Sequence, residues 1–224
     1  MRHRILPLAA ALGAVLIPTA AGLAQRPPPN PPGQVSIEAR PALITWGTTG
    51  GIGGRASGPR LGAGARVVLE ADSVPFDGYA NLATGVLDAT GGYSFPVSPR
   101  ANTKYRVAVG APRVLSGEVL VYVRMRVSLR VGDTSPARGQ RVRFYGSVTP
   151  AHPGLTVHIQ RRNPDASFRN VARATLTAGA TANSSRYTGT IPISRTGVYR
   201  VLVPSHADHV KGVSALRVLR VGAG

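Results

Sequence analysis

An all-β chain folded as two successive β-sandwiches is predicted, and three observations predict it. The first is an internal duplication: the run from Tyr93 to Val109 overlays the run from Tyr187 to Val203 without a gap, with Tyr105-Arg106-Val107 recurring as Tyr199-Arg200-Val201. The second is short-range alternation of apolar and polar residues, the period-two signature of strands with one wet face. The third is the regular punctuation of these runs by Gly62, Gly64, Gly91-Gly92, Pro150, Pro153-Gly154 and Gly197, residues that favour turns.

Taken in order, the first copy opens at Val35-Ser36-Ile37, which matches Val127-Ser128-Leu129 in the second. The run Gly64–Glu70 matches Gly154–Gln160, and Tyr79–Leu87 overlays Phe168–Leu176, placing Leu82 on Val171 and Ala83 on Ala172. In the second copy Val127, Leu129 and Val131 mark a first strand, Val142, Phe144 and Gly146 a second, and Val157 and Ile159 a third. Further strands are expected near Val171–Leu176, Tyr187–Ile191, Val198–Val203 and Ser214–Val221. About seven strands per copy, spaced by turns, is the pattern of a Greek-key sandwich. Between the copies, Val119, Val121, Val123, Met125, Val127, Leu129 and Val131 alternate without a break. This predicts a strand running from one sandwich into the next and a stiff, nearly coaxial pair. The alternative is a turn at Arg124–Arg126 with free hinge motion.

The leading residues read as an address. Arg2, His3 and Arg4 precede an apolar run from Ile5 to Ile17, and Gly22 and Ala24 provide small residues before Gln25. Residues 1–24 are therefore expected to be a cleaved secretory signal peptide. The rival reading is a retained anchor, but a spanning helix needs about 20 apolar residues, and this run is shorter and interrupted by Pro18. No apolar tail follows Val221, so no stable membrane span is expected after cleavage. Residues 25–34 hold five prolines and are expected to form a semi-rigid spacer. Residues 35–126 and 127–224 are assigned to the two sandwiches. The chain has no cysteine, so apolar burial and strand pairing must hold each copy together.

With those residues in view, a family resemblance follows. The run Gly197-Val198-Tyr199-Arg200-Val201 resembles the start of strand F in immunoglobulin-like and fibronectin type III-like domains. Val107 and Val201 stand where immunoglobulins carry the second cysteine. The family's strand-C tryptophan is missing, since the one tryptophan, Trp46, falls in the expected second strand. The chain is thus similar to the disulfide-free immunoglobulin-like modules of secreted bacterial proteins. The resemblance spans Val35 to Val221. It implies two tandem Ig-like Greek-key sandwiches in a non-enzymatic structural or adhesive protein, an extracellular spacer or binding module. Such sandwiches host many roles.

The net charge is +18, and it is uneven. Residues 127–224 carry fourteen basic and three acidic side chains; residues 35–126 carry ten and six. Arg141, Arg143, Arg161, Arg162 and Arg200 are the candidate anion-binding residues, because a guanidinium fork suits carboxylate and phosphate oxygens. Arg141, Arg143 and Arg200 are expected on solvent faces, with Arg169 and Arg173 nearby. An anionic cell-wall polymer, a polysaccharide or another extracellular protein is the expected partner class. Nucleic acid is not expected, for want of exposed aromatics to stack bases.

His206-Ala207-Asp208-His209 is the most metal-like cluster. It falls between the last two strands, and His152 falls between the second and third. In an Ig-like sandwich those loops share one end, so the three histidines are placed to meet. A polar loop that happens to contain histidines remains the simpler account, so the sequence by itself assigns no metal and no cofactor. Gly51-x-Gly53 lacks the spacing of a phosphate loop and is expected as a flexible strand end or bulge. No nucleophile elbow is present. Asp72 and Asp77 share a loop region but offer too few oxygens for a strong calcium site.

Overall fold

The computed structural model describes residues 33–222. The expected signal peptide and almost all of the proline-rich spacer lie outside those residues. Ten strands build the first sandwich: β1 (Gln34–Val35), β2 (Glu38–Arg40), β3 (Leu43–Thr45), β4 (Gly50–Ser57), β5 (Arg66–Ser73), β6 (Ala80–Val86), β7 (Gly92–Val97), β8 (Thr103–Val109), β9 (Val114–Leu115) and β10 (Val119–Arg124). The second has β11 (Arg126–Val127), β12 (Arg130–Val131), β13 (Gln140–Thr149), β14 (Thr156–Arg162), β15 (Phe168–Thr175), β16 (Thr177–Ala178), β17 (Ser185–Ile193), β18 (Gly197–Val203), β19 (Gly212–Val213) and β20 (Arg217–Leu219). Among the described residues there is no helix, and none long and apolar enough to cross a membrane.

In the first sandwich β4 pairs with β1 and β2 on one side and β7 on the other; the facing sheet runs β3-β10-β8-β5-β6. In the second, β11 and β12 lie along β13, followed by β17 and β16, facing a sheet ordered β15-β14-β18 with β19 and β20 on the far edge. The chain therefore changes sheets between β4 and β5, between β7 and β8, and at the matching places in the second copy. That is the Greek-key crossing pattern. The pairs are antiparallel except β3 with β10. Each sandwich closes its own dry interior. Ile52, Leu69, Phe95, Val107 and Val123 lie in one cluster, and Phe144, Ile159, Ile193, Val201 and Leu219 in the other.

The duplication persists at atomic detail. Tyr93 donates its hydroxyl to Ser36 O at 2.5 Å, and Tyr187 donates to Ser128 O at 2.6 Å. Each tyrosine reaches across the strand between it and its acceptor, over the glycine it pairs with: Gly54 in β4 and Gly146 in β13. A Cβ on either glycine would strike that carbonyl and come within 2.6 or 2.8 Å of the tyrosine oxygen. Matching bulges interrupt the pairing of β5 with β6 at Leu69/Glu70 and of β14 with β15 at Ile159/Gln160. They leave Leu82 and Val171 as the extra residues, the pair that the sequence alignment superposes. Ser116 Oγ and Ser214 Oγ each accept a backbone N–H, from Val107 and Val201, at 2.9 Å.

Four expectations change. Gly50–Ser57 is a regular central strand, not a flexible end or bulge: it pairs on both sides, and Gly54 makes room for the tyrosine crossing. Trp46 sits in the turn after β3 rather than in the second strand. Strand pairing begins at Gln34, one residue inside the expected spacer. The final strand is split, β19 and β20 pairing with different stretches of β18.

At the junction, strand pairing passes from one sandwich to the other without a turn and without one unbroken strand. β10 pairs inside the first sandwich, β11 inside the second, and Met125 between them is 1% exposed within the second core. Val210 bridges the step: its N–H donates to Val123 O at 2.9 Å and its carbonyl accepts from Met125 N–H at 3.3 Å. Asn102 in the first sandwich accepts Val123 N–H at its Oδ1 (2.8 Å) and donates its own N–H to Asp208 O (2.8 Å).

Candidate functional site

The loop that follows β18 and the loop that precedes β14 meet at this junction, and they carry the histidines. β13 ends at Thr149, Pro150 and Pro153 prevent the strand from continuing, and His152 is held between them by donating its backbone N–H to Ser185 Oγ at 2.8 Å. β18 ends at Val203, Pro204 follows, and the tight turn His206–His209 closes with His206 N–H to His209 O at 2.9 Å. This brings three imidazoles around one carboxylate. His152 Nε2 lies 3.2 Å and His206 Nδ1 2.6 Å from Asp208 Oδ1; His209 Nδ1 lies 3.1 Å from Oδ2. The His152 ring meets the His206 and His209 rings edge-on, with centroids 5.2 and 5.1 Å apart. His152 and His209 are buried, Asp208 is one-third exposed, and His206 faces solvent.

The outer nitrogens of the two buried rings also have partners. His152 Nδ1 lies 3.1 Å from Pro150 O, and His209 Nε2 lies 2.8 Å from Arg100 O of the first sandwich. A carbonyl only accepts, so each of those nitrogens carries its proton. Partial burial pushes the Asp208 carboxyl up, but the surrounding His206, His152 and His209 imidazoles outweigh it and hold the group well below the usual carboxylate range. Asp208 is therefore an anion enclosed by imidazoles. His152 Nε2, an Asp208 oxygen and His209 Nδ1 lie within 4.8 Å of one another, close enough to share one ion.

The five candidate arginines do not converge. Arg141 and Arg143 stand on β13, in the sheet opposite β14 and β18. Arg143 donates from Nε to Thr188 Oγ1 at 3.1 Å and covers the Tyr145 ring at 4.6 Å. Arg200 is not on a free solvent face. It is half-buried, its Nε donates to Gln160 Oε1 at 2.8 Å, and its guanidinium stacks on Phe168 at 3.6 Å. The first sandwich has the same stack, with Arg106 on Tyr79 at 3.9 Å and bonded to Glu70 at 2.7 Å. Arg200 is thus held in a repeated structural contact. Arg161 and Arg162 do join a basic group, with Arg169 and with Arg195, a turn residue that no alternation pattern could single out. These four line an open cleft of about 430 Å³ beside Gly197 and Val198, at the end of the second sandwich opposite the histidines. Arg161 sits directly across from Arg169, an unfavourable pairing of like charges. Among the described residues none of the four is salt-bridged. The nearby Asp165 is engaged by Ser167 N–H and Oγ.

No family model matches the chain, and no curated protein matches it. Among solved structures it is similar to a tetra-tandem repeat in the extending region of a large adhesion protein. The identity is 14% over 86% of this chain and 50% of that one, with a TM-score of 0.34. It is also similar to the BSP domain of a biofilm-associated protein, at 14% identity over 84% of this chain and 30% of that one, with a TM-score of 0.29. The chain spans half the length of the first of these and less than a third of the second.

Proposed function

We propose that the chain acts outside the cell as a non-catalytic, stiff two-sandwich module: a spacer that carries a basic binding surface at its far end. The junction supports the stiffness. A spacer with a free hinge would cross between sandwiches on an exposed, unpaired linker. Here the crossing residue, Met125, is buried, and Val210, Asn102 and Asp208 bond across the step. Export rests on the basic, apolar and small-residue pattern of residues 1–24. The test is a distance measurement between spin labels at Thr84→Cys and Thr175→Cys, exposed strand positions in the two sandwiches of a chain without native cysteine. One narrow distance distribution is expected. A broad, multi-component distribution rejects the spacer.

The basic cleft favours a second reading, recognition of an anionic cell-wall polymer or polysaccharide. Three exposed guanidinium groups without carboxylate partners, Arg162, Arg169 and Arg195, set in a concave surface beside Arg161, whose Nη2 is already given to Thr196 O at 2.9 Å, offer forked donors to repeated sulfate, phosphate or carboxylate groups. Retention on immobilised heparin at low salt is expected. The combined substitution Arg162→Ser, Arg169→Ser, Arg195→Ser should elute at clearly lower salt, whereas an equal change of charge on the opposite sheet, Arg141→Ser, Arg143→Ser, Arg186→Ser, should lose less. Equal losses from both sets would mean that net charge alone causes retention.

A further inference from the structure

The geometry points to a transition-metal site at the junction, built by His152 Nε2, His209 Nδ1 and the Asp208 carboxylate, with His206 Nδ1 as the solvent-side fourth ligand and Zn²⁺ as the ion of matching chemistry. Zinc bonds of about 2.0–2.1 Å to nitrogen and oxygen give a tetrahedron whose edges are about 3.3 Å. The nitrogen–oxygen separations are 3.2 Å from His152 to Oδ1 and 3.1 Å from His209 to Oδ2, whereas the exposed His206 Nδ1, 2.6 Å from Oδ1, has to turn outward to take the fourth position. Three imidazoles and one carboxylate are a borderline donor set, suited to zinc or copper; calcium and magnesium take oxygen ligands.

Hydrogen-bond bookkeeping leads to the same place by an independent route. A neutral imidazole has one N–H and one lone pair. In both buried rings the N–H is already committed outward, to Pro150 O and to Arg100 O. Carbonyl acceptors of this kind fix the tautomer of metal-binding histidines and turn the other nitrogen towards the ion. The inward nitrogens then face a carboxylate, an arrangement that calls for either a second proton on the ring, for which His152 Nε2 is placed at 3.2 Å from Oδ1, or a cation between them. His209 Nδ1 shows this directly. It is buried and close to Asp208 Oδ2, yet the oxygen lies off its bonding direction, and the nitrogen has no hydrogen-bond partner. One shared divalent ion satisfies both inward nitrogens and Asp208 at once.

All four ligands belong to the second sandwich, but the first sandwich braces them. Arg100 O orients His209, and Asn102 N–H holds Asp208 O. Metal occupancy is therefore coupled to docking of the two sandwiches, since an ion that favours the braced loop also favours the docked arrangement.

The experiment uses the chain without a polyhistidine tag, stripped with a chelator and titrated with Co²⁺ and then Zn²⁺. One equivalent of Co²⁺ should give the intense visible bands of a tetrahedral nitrogen–oxygen site, and Zn²⁺ should bleach them at 1:1 stoichiometry. Zinc should also raise the melting temperature, and chelator should reverse the rise. His206→Ala, at an exposed position that folding does not need, should weaken binding at least tenfold. His152→Ala and Asp208→Asn should abolish it, while His158→Ala, on a different face, should bind as the parent does. Pale octahedral cobalt spectra, no saturable zinc binding, or equal affinity in the His206→Ala and His158→Ala variants would each overturn the site and leave the cluster held by protons.

Discussion

Gly146 and Tyr187 show how narrowly a single position can be specified. Tyr187 must pass over β13 to reach Ser128 O, and only a residue without a Cβ leaves that path open. Gly146→Ala forces backbone and ring apart, a case of overpacking that should cost about 1–3 kcal/mol. Tyr187→Phe keeps the ring but strips the Ser128 carbonyl of its donor, and should cost about 0.5–1.5 kcal/mol. Urea denaturation of the two variants checks both values. The tyrosines also set the alkaline limit. Burial pushes the Tyr93 and Tyr105 hydroxyls up to about 12, and burial raises Tyr187 as well. The unfolded chain ionises these groups near their ordinary value of about 10, so between about 10 and 12 the folded state holds more protons. Stability is full below about pH 10 and falls as the pH rises towards 12. A melting temperature that is flat from pH 9 to 12 would contradict this.

At the scale of elements, Glu70 of β5 and Gln160 of β14, each opposite the bulge of its neighbour strand β6 or β15, pair with Arg106 of β8 and Arg200 of β18. The two copies solve one problem with different chemistry. Glu70 is buried and takes hydrogen bonds from both Arg106 and Arg113, while Gln160 takes one from Arg200 and gives one to Asn170 at 2.9 Å. The second copy shows that an amide fits opposite this bulge. Glu70→Gln should therefore be milder than Glu70→Ala, which removes both acceptors and leaves a cavity. Arg113 is largely exposed, so water can replace its bond, and the loss in Glu70→Ala should stay near 1–3 kcal/mol. Chemical denaturation that ranks the glutamine variant below the alanine variant would refute the equivalence of the two bulges.

At the scale of the molecule, Asn102 is the residue through which the sandwiches read one another. Its Oδ1 is the acceptor for the buried Val123 N–H, and its backbone holds the Asp208 carbonyl. Asn102→Ala leaves that N–H without a partner, at a cost of about 1–3 kcal/mol, and removes the side-chain contact from Asn102 Nδ2 to Ala207 O (3.5 Å), loosening the loop carrying His206, Asp208 and His209. Calorimetry should show a single melting transition in the parent and two resolved transitions in this variant. A single unshifted transition in both would mean that the junction is held elsewhere.

How much was legible beforehand follows from the range of each interaction. Alternation, turn residues and the repeated Tyr93/Tyr187 register are short-range or periodic, so the strands and the sandwich pair could be read from residue order; Leu82 and Val171 superpose in sequence, but that each is the extra residue of a bulge shows only in the strand pairing. The meeting of His152 with the His206–His209 turn was also legible, because the Greek-key order puts those loops at one end. Other features depend on partners far along the chain. Arg200 reads as a surface charge until Phe168 and Gln160 fold against it, Arg195 belongs to no pattern until its turn closes on Arg161, and Gly54 looks flexible until Tyr93 crosses it. The protonation of the buried histidines, too, is set by Pro150 O and Arg100 O, the latter 109 residues from His209. Residue order alone determined which segments extend and that they recur. Tertiary contact decided which polar groups are consumed by the fold and which stay free for a ligand, because hydrogen bonding and burial are settled by neighbours in space.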